Sequence, residues 1–155
     1  SVLERMNRHY SPEDYQRVVN LIRKEVPSVA ITTDVIVGFP GETEQEFEES
    51  LAFCKQIGFA RIHVFSYSPR SGTAAAAMAG QVSDKTKKER SQRMLTLAEE
   101  SARKFKESFA GESMDVLWEK QTDDGDWTGI TGNYIRVFKK SNDDLSNKLQ
   151  STKVK

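Results

Sequence analysis

Thr32-Thr33-Asp34-Val35-Ile36-Val37-Gly38-Phe39-Pro40-Gly41-Glu42-Thr43 decides the fold: a β-branched run ends on a glycine, turns through Gly-Phe-Pro-Gly, and enters a helix. Val29 to Val37 reads as a buried strand, because β-branched residues without polar alternation suit a strand covered on both faces. Thr43 and Glu46 form a capping box, and Phe47, Leu51, Cys54 and Ile57 mark the buried side of the helix that follows. Gly58 is its stop. Ala60 to Tyr67 is a second strand, so the segment is a βαβ unit with a right-handed crossover and parallel strands. Two parallel strands make no stable sheet alone, so the unit is expected to need strands from elsewhere.

Before this unit, Ser11-Pro12-Glu13-Asp14 is a helix start in which Ser11 caps, Pro12 fits the first position and Asp14 closes a capping box. Tyr15, Val18, Val19 and Ile22 follow at helical spacing, and Pro27 ends the helix. The first six residues read as the middle of a helix with no start of its own. After the unit, a loop from Ser68 to about Gln81 leads to a long helix, Ser83 to Phe109, with Met94, Leu95, Ala98, Ala102, Phe105 and Phe109 on one face. Its basic run of Lys85, Lys87, Lys88, Arg90 and Arg93 fits a solvated face better than an RNA contact. From Gly111 the pattern becomes short strands: 113–119, a turn at Asp123-Asp124-Gly125-Asp126, 127–130, 133–138 and 145–154. The fold class is therefore α/β followed by a small all-β barrel, with residues 1–110 in the first part and 111–155 in the second.

The 155 residues carry 23 Lys and Arg against 23 Asp and Glu, so no overall field draws in nucleic acid and any RNA contact must be local. Cys54 is the single cysteine, which excludes a disulfide framework and a cysteine-ligated zinc or iron–sulfur site built from this chain alone. That usage points to a reducing, cytoplasmic setting. No apolar run reaches the roughly 20 residues of a membrane span, and the charged start does not suit a signal peptide.

Two strand ends hold the residues with chemical potential. Gly38 lets backbone approach a ligand closely, and Ile36 offers an apolar surface for a flat adenine, although the same turn also serves as a plain strand-to-helix connection. The second strand ends in His63-Val64-Phe65-Ser66-Tyr67-Ser68-Pro69-Arg70, on the rim where parallel strands place ligands. His63 reads as a packed strand residue rather than a metal ligand. Arg70 is either a carboxylate or phosphate holder or a surface loop arginine. In the β part, Trp127, Tyr134, Arg136, Lys139 and Lys140 supply rings that stack on bases and cations that pair with phosphates, against the alternative of ordinary barrel aromatics.

Met6-Asn7-Arg8-His9-Tyr10, the Thr32 to Thr43 block, Tyr67-Ser68-Pro69-Arg70-Ser71-Gly72-Thr73 with Ala75 to Met78, and Gly129-Ile130-Thr131-Gly132-Asn133-Tyr134-Ile135 together resemble the methylthiotransferase family of radical S-adenosylmethionine enzymes. Several motifs in the same order are far more specific than one. Val116-Leu117-Trp118-Glu119 and the Gly129 to Ile135 run look most like the branch that acts on threonylcarbamoyladenosine in tRNA; the isopentenyladenosine and ribosomal-protein branches resemble them less. The resemblance implies that residues 1–110 are the C-terminal portion of a partial (β/α) barrel and that the rest is a TRAM module, a small RNA-binding barrel. It implies that Ile36, Gly38, Phe65 and Ser66 border the adenine of S-adenosylmethionine, and that Arg8 reaches the ligand's polar end.

The same resemblance implies two [4Fe-4S] clusters in the intact enzyme, reductive cleavage of S-adenosylmethionine at one of them, and sulfur insertion at an adenine carbon. The cluster cysteines are absent here. The chain is therefore expected to be a C-terminal fragment, inactive without the N-terminal domains of the same polypeptide, with no cofactor bound and weak or undetectable affinity for S-adenosylmethionine. Its expected partner is tRNA, with no membrane. Two other readings remain open: a non-catalytic RNA-binding protein, and an unrelated phosphate-binding barrel enzyme that uses the Gly38 to Gly41 turn.

Overall fold

Side-chain caps set where the helices begin. In a computed structural model that describes residues 1–154, Ser11 accepts from the amide of Asp14, whose carboxylate accepts from the Ser11 amide, and α2 (Pro12–Glu25) starts there. Thr43 and Glu46 form the same reciprocal pair ahead of α3 (Glu44–Ile57), and Gly58 ends α3 in the left-handed conformation. The first residues depart from expectation: α1 (Val2–Arg5) is a single turn with its own capping box, between Ser1 and Glu4, rather than the middle of a longer helix.

The chain divides into one unit ending at Lys104 and another starting at Phe105. In the first, β1 (Thr32–Val37) and β2 (Arg61–Ser66) form a two-stranded parallel sheet, crossed over by α3. Thr73 caps α4 (Ala74–Ala77), one turn inside the segment expected to be a loop. The long α5 (Asp84–Glu107) follows. The core gathers Val19 of α2, Val37, Phe47, Cys54, Ile57, Phe59, Ile62 and, from α5, Met94, Leu97 and Ala98. Leu95, expected on the buried face of α5, is 40% exposed, and Leu97 takes its place.

The strands do not have two covered faces. Val35, Val37, Ile62 and Val64 pack against the helical core, while Ile36 and Phe65 are open to solvent. The β-branched run at Val35 to Val37 conceals this alternation, because Ile36 is as apolar as its buried neighbours. Helices cover one side of the sheet, and nothing in this unit covers the other.

The second unit is a four-stranded antiparallel sheet of β3 (Ser113–Gln121), β4 (Asp126–Thr131), β5 (Arg136–Lys140) and β6 (Leu149–Lys153), in the order β5-β4-β3-β6. Among the described residues no pairing joins β5 to β6, so the four strands form one open hydrogen-bonded sheet. Val116, Trp118, Trp127 and Leu145 form its core. Gly129 lies opposite Trp118, and a Cβ there would fall 2.8 Å from the Trp118 ring and 2.5 Å from Val116 Cγ1. The close packing of that tryptophan excludes any larger residue.

Candidate functional site

The two strand ends meet. Ile36 pairs in register with Phe65 and Val37 with Ser66, and the Tyr67 amide donates to the Val37 carbonyl at 2.9 Å, extending the ladder past the strand ends. Side chains at paired positions of parallel strands share a face, so Ile36, 38% exposed, and Phe65, 51% exposed, form one apolar platform. Asp34 and His63 pair one step earlier on the same face. Beyond the strands, the rings of Phe39 and Tyr67 meet edge to face at 5.3 Å and join the two connections.

The turn after β1 is held by residues to which patterning gave no role there. Gly38 has φ +73°, a conformation that side chains resist, and its N–H donates to the Glu42 carboxylate at 2.8 Å. A Cβ at Gly38 would lie 2.3 Å from Lys87 Cγ, so the stem of that lysine crosses directly over the glycine. Its ammonium sits 2.8 Å from Asp84 and donates to the Tyr67 carbonyl at 3.4 Å. Lys87 thus touches both strand ends.

Glu42 is buried. Arg90 Nη1 donates to the Glu42 carboxylate at 2.8 Å and to its carbonyl at 3.0 Å, and Arg90 Nη2 donates to Glu44 at 3.0 Å. Burial pushes the Glu42 carboxyl above its ordinary value, with the Gly38 amide and the Arg90 guanidinium pulling against it. Arg5 forks onto the two oxygens of Glu46 at 3.0 and 2.7 Å and reaches the Gly41 carbonyl at 3.3 Å. That pairing and the Thr43 amide bring the Glu46 carboxyl down to about 2. Within the basic run of α5, Arg90 is neither solvated nor free for RNA: it is a buried clamp on the turn. A residue-by-residue reading could not see this, because Glu42 and Arg90 are 48 positions apart.

The radical SAM superfamily model matches residues 1–54. A threonylcarbamoyladenosine tRNA methylthiotransferase, MtaB, of Bacillus subtilis strain 168 is 39% identical over 99% of this chain and 35% of its own length. A tRNA-2-methylthio-N(6)-dimethylallyladenosine synthase of Caldicellulosiruptor saccharolyticus is 47% identical over 75% of this chain and 25% of its own. Another of that name, from Lachnoclostridium phytofermentans, is 38% identical over 99% of this chain and 34% of its own. The chain belongs to the radical S-adenosylmethionine methylthiotransferase family. It spans about a third of the length of the curated relatives that match nearly all of it.

Within this family, the residues present fit the two implied cofactors differently. Ile36, Gly38, Phe65 and Ser66 lie together at adjoining strand ends, and an exposed apolar platform beside a glycine suits a flat adenine. An iron–sulfur cluster does not fit. Cys54 is packed inside the first unit's core with its thiol pushed up to about 11 by burial, and among the described residues no group of three or more His, Cys, Asp or Glu could hold a metal ion.

The other expected site residues separate. Arg8 is exposed just beyond α1, and no described contact ties it to the strand ends; Arg5, one turn earlier, makes the contact with the Gly41 turn. Arg70 is exposed, and its carbonyl accepts from the Thr73 hydroxyl at 2.8 Å, folding the loop toward the α4 cap. In the second unit, Tyr134 is 81% exposed at φ +65° and presents an open ring, whereas Trp127 is 6% exposed. Trp127 is therefore core and not the stacking surface expected of it, since a buried ring cannot meet a base. Arg136 is paired with Glu119, and Lys139 lies 5.8 Å from the centre of the Trp118 ring. No helix among the described residues is long and apolar enough to cross a membrane.

Proposed function

We propose that this chain is part of a tRNA-modifying transferase that adds a methylthio group to C2 of N6-threonylcarbamoyladenosine, with residues 1–110 contributing to a radical SAM barrel and residues 111–155 acting as an RNA-binding TRAM module. The observation that carries the reading is the in-register meeting of Ile36 with Phe65 beside Gly38, an apolar platform on the uncovered side of a parallel sheet. Ile36, Gly38, Phe65 and Ser66 hold the adenine of S-adenosylmethionine there, and that cofactor supplies the radical and the methyl group. The work of this chain's own residues is placement. The platform excludes water from one side of the adenine, Lys87 and the Glu42–Arg90 pair fix the turn beside it, and Tyr134 offers a ring to an RNA base.

The relatives carry two substrate names, so dimethylallyladenosine is the second reading. The choice of threonylcarbamoyladenosine rests on Val116-Leu117-Trp118-Glu119 and the Gly129 to Ile135 run. A chimera tests both. This chain replaces the matching third of the Bacillus subtilis relative in a strain lacking that enzyme, and tRNA nucleosides are measured by mass spectrometry. The reading predicts 2-methylthio-threonylcarbamoyladenosine. The dimethylallyl product alone transfers the assignment to the second reading, and a stably expressed chimera that forms neither refutes both.

A further inference from the structure

A cavity of about 580 Å³ opens in the first unit between the carboxyl end of β2 and the first turns of α5. Ser66, Tyr67, Ser68 and Pro69 form one wall; Lys87, Lys88, Ser91, Gln92 and Leu95 form the other. Its polar groups are mostly unspent. Lys87 is occupied by Asp84 and the Tyr67 carbonyl, but Lys88 is exposed and makes no ion pair among the described residues. The hydroxyls of Ser68 and Ser91 and the amide of Gln92 make no hydrogen bond among the described residues either, and the Tyr67 hydroxyl is buried without a partner.

These groups are an ammonium and several neutral donors, and the one carboxylate at the cavity, Asp84, is already engaged by Lys87. Such a set complements an anion with several acceptor oxygens, and phosphate is the commonest. Pro69 and Leu95, the latter 40% exposed, add an apolar side. Phosphate beside an apolar wall suits a nucleotide, and the volume lies within the range of small-ligand sites. Position narrows the class further. Ser66 lines this cavity and also ends the strand that carries Phe65, so the cavity and the platform meet at one strand end, as adjoining nucleotides of one RNA strand would require.

We propose that the cavity holds the nucleotide next to the modified one in the RNA substrate, with its phosphate on Lys88, Ser68, Ser91 and Gln92 and its sugar or base against Pro69 and Leu95. This rests on the tRNA-modifying reading above.

The test titrates the 155-residue chain with an RNA hairpin carrying an adenosine in its loop, and separately with adenosine 5′-monophosphate and with inorganic phosphate, following backbone amides by NMR. The hairpin should shift Ser68, Ser91 and Gln92, and Lys88→Glu should weaken its binding about fivefold or more and flatten the salt dependence. Lys85→Glu, on a lysine 87% exposed that does not line the cavity, should cost less. Shifts confined to the second unit with Lys88→Glu unchanged overturn the proposal, as does the absence of hairpin binding. Inorganic phosphate binding as tightly as RNA overturns the nucleotide assignment in favour of a small-anion site. The chimera keeps the two claims apart: modified nucleoside without any effect of Lys88→Glu sinks only the cavity, whereas absence of modified nucleoside sinks the reading beneath it.

Discussion

Arg90 of α5 donates to both the side chain and the main chain of Glu42, and Glu42 in turn accepts the amide of Gly38. A helix that begins more than 40 positions later in the chain thereby fixes the conformation of the turn beside the platform. The pair is almost fully enclosed, with side-chain exposures of 6% and 3%. Breaking one partner leaves a buried charge, so Arg90→Ala should cost about 3–5 kcal/mol in urea denaturation. Replacing the pair together, Arg90→Met with Glu42→Gln, should cost less than the sum of the single changes, because no charge is stranded.

Gly38 and Lys87 should be coupled. Gly38→Ala meets a left-handed backbone, costing about 1–2 kcal/mol, and also the Lys87 stem. Lys87→Ala removes the second contribution and leaves the first. A double-mutant cycle measured by thermal or urea unfolding should therefore show the lysine change rescuing part of the alanine defect; strict additivity would mean that the contact is absent.

Acid should act through Glu46. Its carboxyl titrates near 4.5 in the unfolded chain and at about 2 in the folded one, so its contribution is complete above 4.5 and is lost as pH falls toward 2. Partial exposure of Arg5 and Glu46 screens the pair, leaving about 1–2 kcal/mol of pH-dependent stability. Arg5→Ala should remove most of that dependence in denaturation curves between pH 5 and pH 2, while wild-type protein retains it.

Tyr134 and Trp127 should part company. Tyr134→Ala, at an open ring, should weaken RNA binding by about 1–3 kcal/mol with little change in melting temperature. Trp127→Ala, in the core, should lower stability by about 3–5 kcal/mol. Calorimetry with parallel RNA titrations separates the two effects.

Local chemistry was legible and distant pairing was not. Capping boxes at Ser11 and Thr43, the stop at Gly58 and the strand–helix–strand order all depend on residues a few positions apart, and each formed as read. The alternating exposure of Ile36 was hidden because an apolar residue on an uncovered sheet face has the same pattern as one in a core. Trp127 was misplaced for the converse reason: a tryptophan suits both a buried core and a stacking surface, and only the packing around Gly129 and Trp118 shows which side of the sheet is filled. Arg90 and Lys87 looked like solvated helix charges because their partners, Glu42 and the turn at Gly38, lie far away along the chain.

The most direct measurement of the account is an amide NMR titration of the chain with S-adenosylmethionine up to millimolar concentration, a range in which weak binding still moves resonances. Ile36 and Gly38 on one strand end and Phe65 and Ser66 on the other should shift together, with one common affinity. Shifts limited to one strand end, or two ends that move with different affinities, would contradict a shared adenine platform.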